Sequence, residues 1–144
     1  MKIIAEIGID MRHWKTSKQF AAWLALCPGN KISGGKILSS RTIPIINRAR
    51  IAFLLAANAL HRSQTALGAY FRRMRARLGA PMAITATAHK IAKIVYHMLS
   101  TGKSYKDIGQ EAYELRFKQR KLSNLKRMAA EMGFSLQALE AQIQ

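Results

Sequence analysis

The chain is poor in acid. Seven Asp and Glu stand against 24 Lys and Arg in 144 residues, for a formal charge of +17. From Met11 to Lys106 there is no carboxylate at all, while seventeen of the cations fall inside that window. Clustered carboxylates are what hold the hard cations of metal-dependent nucleases, so the window excludes a site of that kind, and no metal site is expected. Cys27 is the only cysteine, which excludes a disulfide framework and a zinc knuckle. Long apolar runs are missing as well. The best candidate, residues 51–60, is interrupted by Asn58 and flanked by arginines, short of the roughly 20 apolar residues a spanning helix needs. Glu6 and Asp10 break the apolar start, so no signal peptide is read. The expectation is a cytoplasmic, nucleoid-associated protein without a membrane partner.

What is present is concentrated positive charge on a chain that is 49% hydrophobic. That is long enough to bury a core, and its charge is the electrostatic footprint of a polyanion binder. The arginine series Arg48, Arg50, Arg62, Arg72, Arg73, Arg75 and Arg77 carries the strongest binding signal. Arg73 and Arg77 are helical neighbours with no acidic partner, so an external anion would relieve their repulsion. A solvated basic face is the plainer alternative.

Apolar spacing predicts a mainly α fold. Ser17 is read as the cap of a short helix through Phe20, Trp23 and Leu24, ended by Pro28-Gly29. From Ile45 a helical pattern runs to Leu60, pauses near Ser63 and resumes from Leu67 to Leu78, where Gly79 stops it. Pro81 opens the next helix, with Ile84, Ala88, Ile91, Ala92, Val95, Met98 and Leu99 facing inward. A shorter element begins at Ser104 and Asp107. A final stripe of Leu122, Leu125, Ala129 and Met132 is stopped by Gly133, with a loosely held tail beyond. Two units follow, a compact helical domain over residues 1–112 and a basic amphipathic helix and tail over 113–144.

Between the first two helices lies a glycine-rich loop or small hairpin. Residues 27–36 read Cys-Pro-Gly-Asn-Lys-Ile-Ser-Gly-Gly-Lys, with Arg41-Thr42 following. Ser33 is thus a hydroxyl beside permissive backbone, with Lys31, Lys36 and Arg41 near in sequence to neutralise a phosphate. Such a serine is a candidate nucleophile; a turn residue capping backbone groups is the alternative. A nucleotide-binding P-loop is rejected, because Gly29 to Gly35-Lys36 has one residue too many and Ile37 replaces the Mg²⁺-binding Ser/Thr. His89, Lys93 and His97 share a helix face; the lysine would repel a metal, so the histidines read as residues at the edge of the core or as hydrogen-bond partners of phosphate.

Taken together, Ile4-Ala5-Glu6-Ile7-Gly8, Ala21 to Asn30, Ser33-Gly34-Gly35-Lys36, Arg41-Thr42, Ala88-His89 and Tyr96-His97-Met98-Leu99 resemble the C-terminal transposase domain of the Piv-like insertion-sequence transposases, the one-ten, one-sixteen and nine-oh-two group of RNA-guided serine recombinases. The resemblance implies a serine, here Ser33, that attacks DNA and forms a phosphoserine link. It implies DNA and a structured guide RNA as partners, a homo-oligomeric full-length enzyme, and an N-terminal acidic domain holding Mg²⁺. That acidic domain is missing from this sequence, so the chain reads as a fragment with no cofactor of its own and no activity alone. Two departures stand out: Ser40 where a glycine is usual, and Ile43-Pro44-Ile45-Ile46-Asn47 in place of a basic turn.

The expected function is therefore DNA binding and strand transfer, with Lys31, Lys36, Arg41, Arg48, Arg50, Arg72, Arg73 and Arg77 as phosphate ligands and Ser33 as nucleophile. A non-catalytic basic helical module that only binds nucleic acid is the alternative. Either way, binding by the isolated chain should be steeply salt-dependent and weakly sequence-selective, because phosphate contacts carry no base information. Titrating two unrelated duplexes across a salt series checks this; a shallow slope would remove the electrostatic reading.

Overall fold

The computed structural model describes residues 2–39, 41–42, 44–45 and 47–138. Ser40, Ile43 and Ile46, which carry part of the departure from the transposase pattern, and the tail from residue 139 lie outside the described residues. Among the described residues, six helices and one two-stranded hairpin make a mainly α fold: α1 (Lys2–Ile7), α2 (Ser17–Trp23), β1 (Lys31–Ser33), β2 (Lys36–Ser39), α3 (Arg48–Ala59), α4 (Ala66–Leu78), α5 (Ala80–Thr101) and α6 (Gly109–Glu131). Single 3-10 turns at Met11–His13 and Leu60–Arg62 join the pieces.

Short polar residues start α2, α3 and α4. Thr16 Oγ1 accepts from Gln19 N (3.2 Å), Asn47 Oδ1 from Arg50 N (3.3 Å) and Thr65 Oγ1 from Gly68 N (3.1 Å), each satisfying a donor that the first helical turn leaves free. The α2 cap is thus Thr16, one residue before the expected Ser17, which is already helical. Gly79 separates α4 from α5 at φ +80, and Gly102 closes α5 in the left-handed region at φ +68.

α5 is the spine against which α2, α3 and α4 pack. Its buried Ala88 and Ala92 meet Ala49, Phe53 and Ala57 of α3 and Phe20 and Leu24 of the α2 region, with Ile84, Ile91, Val95 and Leu99 packed around them. Alanines at the contact let helix axes approach, and Phe20 and Phe53 are fully buried beside them. Phe20 lies edge-on to Trp14 (5.0 Å) and to Phe53 (6.3 Å), and the Tyr96 hydroxyl donates to the Trp14 carbonyl at 2.7 Å. A second cluster of Phe71, Met74 and Ala83 joins α4 to the start of α5.

The C-terminal region departs from expectation. In place of a shorter element followed by a separate stripe, one 23-residue helix, α6, covers Gly109–Glu131, with residues 112 and 113 both in its opening turns. Leu122, Leu125 and Met132 are exposed, and only Ala129 of the stripe is buried. Periodicity reports that a helix is amphipathic, not that something covers its apolar face.

Gly68 is buried where α4 passes the Leu60–Ser63 turn. A Cβ there would lie well inside van der Waals contact of the Ser63 carbonyl and against the Leu60 carbonyl. Gly68→Ala should therefore destabilise the fold by about 1–3 kcal/mol through overpacking against backbone, read as a lower urea midpoint at unchanged slope.

Candidate nucleic-acid interface

The hairpin is built by its turn. Ser33 pairs with Lys36 across Gly34-Gly35, whose φ values of +55 and +76 suit a two-residue turn that glycine adopts without strain. Directly paired residues send their side chains from the same face, so the Ser33 hydroxyl and the Lys36 ammonium share one side of the ribbon. Lys31, Ser33 and Lys36 are exposed, as are the apolar Ile32 and Leu38. The ribbon therefore projects from the body, and its base fixes it. Pro28 bridges Thr42, Gly29 N donates to the Arg41 carbonyl (3.0 Å), and Arg41 N donates to Ser39 Oγ (3.4 Å). Arg50 on α3 donates through Nη2 to Thr42 Oγ1 (3.2 Å) and through Nη1 to the Ile45 carbonyl (3.4 Å). Beneath this base lies an open cavity of about 740 Å³, edged by Arg41 and Thr42 on one side and by Tyr70 and His89 on the other.

The expected phosphate ligands do not form one patch. Lys31, Lys36 and Arg41 belong to the hairpin, with Arg50 at its root. Arg48 sits elsewhere, beside Ile3, Ile51 and Leu55. Arg72 is spent inside the fold, donating to the carbonyls of His61 (3.2 Å) and Ser63 (2.7 Å) and to Gln110 Oε1 (2.6 Å). Arg73 is not the free partner of Arg77 that helical spacing suggests. Its guanidinium lies 4.0 Å over Phe117, 5.2 Å from Tyr113 and 5.5 Å from Tyr70, a cation–π seat that holds α6 on α4. Arg77 remains exposed. Aromatic residues far along the chain explain the difference, and nothing in the local pattern around Arg73 announces them.

His89, Lys93 and His97 line one groove, together with Lys90, Lys103 and Lys106. Burial, and then the Lys93 charge, push the His89 pKa below its ordinary value. Burial pushes the Cys27 thiol pKa above its ordinary value, against the opposing pull of the Lys93 charge. Among the described residues no three His, Cys, Asp or Glu side chains come together to hold a metal ion.

A mainly α body that carries an exposed, serine-bearing basic ribbon suits work on a polyanion. The profile of the Transposase IS116/IS110/IS902 family matches residues 1–72, which span α1 to the middle of α4, including the whole hairpin. The chain belongs to that family, its function is transposase-related, and DNA is the partner the family implies. No curated protein and no solved structure matches it. No helix among the described residues is long and apolar enough to cross a membrane.

The two arginines once paired by spacing should now separate. Arg73→Ala should cost about 1–2 kcal/mol of stability by emptying the seat between α4 and α6, read by urea unfolding. Arg77→Ala should leave stability within about 0.5 kcal/mol and, if it meets phosphate, flatten the log K against log salt slope by about one.

Proposed function

We propose that this chain supplies the strand-transfer serine of an insertion-sequence transposase, with Ser33 as nucleophile and Lys31, Lys36 and Arg41 as the nearby phosphate ligands. One observation carries the reading: Ser33 stands at the tip of an exposed ribbon, next to a tight glycine turn and paired with a lysine. Such a tip can reach a phosphodiester in a groove that a buried serine could not, and the lysine can offset charge on the phosphate oxygens. In the step, a bond forms between Ser33 Oγ and phosphorus as a phosphorus–oxygen bond of the strand breaks. The hydroxyl proton leaves to a base, and the departing sugar oxygen takes up a proton. An acidic, metal-holding domain, a structured guide RNA and further copies of the protein complete the machinery in this reading.

A second reading, a module that binds nucleic acid without catalysis, is favoured by a different observation. Residues 28–42 contain no His, Asp or Glu, so the hairpin has no general base of its own.

Ser33→Ala separates the two. In a protein reconstituted with a matching acidic domain and RNA, the variant should lose the denaturation-resistant DNA adduct while gel-shift retention and stability stay within about 0.5 kcal/mol of the parent. Lys36→Ala should weaken both adduct formation and binding. The isolated chain with Mg²⁺ should leave supercoiled plasmid intact. An adduct formed at the parental rate by the Ala variant would make Ser33 a turn residue only.

A further inference from the structure

The strongest unassigned surface is an open groove of about 1090 Å³ between α5 and the connection that follows it. Lys90 and Lys93 enter from α5, and Lys103 and Lys106 from the connection. No carboxylate lines it. The neighbouring acid, Asp107, is spent on structure: its carboxylate accepts from Ala66 N (3.1 and 3.3 Å), Gly109 N (2.9 Å) and the Tyr105 hydroxyl (3.1 Å). The lysine charge is thus unrelieved. Lys90, half-buried with its ammonium 4.2 Å over the Tyr70 ring, has its pKa pushed down by burial and then by Arg73 and Arg120, so a nearby anion would be welcome.

Two aromatic rings, Tyr70 and Tyr105, line the groove with these cations. Tyr105 is 40% exposed while its hydroxyl is pinned by Asp107, which leaves a ring held in place at the rim. Lysines that track a backbone, interleaved with rings on which bases stack, are the features of single-strand binding; a duplex keeps its bases stacked on one another and presents no free face. Tyr70 and His89 line both this groove and the cavity under Arg41 and Thr42, so the surface runs on from the base of the Ser33 hairpin.

We propose that the groove holds a single-stranded segment of nucleic acid, with phosphates against Lys93, Lys103 and Lys106 and a base on Tyr105. This rests on the reading that the chain acts on nucleic acid, and it adds a second contact, away from the reacting serine. DNA and RNA strands offer the same phosphates and ring faces, and the experiment tells them apart.

Fluorescence anisotropy with the whole chain tests it, using oligothymidine and oligouridine of about 12 nucleotides and a duplex of about 20 base pairs across a salt series. The Lys93→Ala, Lys103→Ala double variant changes exposed side chains and should keep its helical circular dichroism. It should bind at least one single strand about tenfold more weakly, with a salt slope lower by about 1.4, and bind duplex within about twofold of the parent. Tyr105→Ala should weaken the same strand about tenfold at unchanged slope, and Tyr105→Phe should restore it. The strand that responds, DNA or RNA, is the ligand. Unchanged single-strand binding in these variants, or an equal loss on duplex, overturns the groove while leaving the hairpin's role intact. A parent chain that binds none of the three probes overturns both.

Discussion

A formal charge of +17 on 144 residues leaves too few carboxylates to pair the cations, and the structure is arranged around that shortage. Among the described residues there are two ion pairs, both local and exposed, Arg12 with Asp10 and Arg127 with Glu131, and exposed pairs of this kind contribute little. Arginines that must approach the body find other partners. Arg72 and Arg50 donate to main-chain carbonyls, and Arg73 lies on aromatic faces. Guanidinium suits this work because its planar donors and weak hydration tolerate partial burial better than an ammonium does. Asp107 is the acid used across the fold, joining the first turn of α4 to the start of α6, where a helix N-terminus welcomes negative charge.

The same shortage sorts the basic residues by chemical duty. Those consumed in holding helices together are not free for a ligand; of those left over, some form an exposed row along α6, and two further groups lie on the ribbon and along α5. A rigid α-helical body with α5 at its centre fixes the distance between these two regions, while the ribbon, held only at its base, keeps its tip clear of the body. Precision therefore resides in the scaffold and reach in the loop, a common division in proteins that act on large substrates.

Much of the fold was legible because helix signals are local. Gly79 and Pro81 marked the junction of α4 and α5, and the inward row from Ile84 to Leu99 followed the helical period. The hairpin was readable as a possibility, since Gly34-Gly35 permits a tight turn, but no alternation in its short strands compelled it. Long-range partnerships were not readable. Arg73 looked free because Tyr113 and Phe117 lie some 40 residues away, and the continuous α6 was split in two because its polar middle interrupts the apolar stripe. The groove shows the same limit. His89, Lys93 and His97 fall on one face by spacing, whereas Lys103 and Tyr105 reach it only through the turn at Gly102.

α6 is held at one end. Arg72 with Gln110, and Arg73 with Tyr113 and Phe117, fasten its opening turns; beyond Phe117 all its described residues except Ala129 are exposed. Some 20 Å of rigid rod extends past the fastening at the usual helical rise, bearing Lys118, Arg120, Lys121, Lys126 and Arg127. Mechanically this is a lever arm. A tilt of about ten degrees at the fulcrum would carry the charged tip through roughly 4 Å, so a small adjustment at one arginine–aromatic seat would be magnified at the far end.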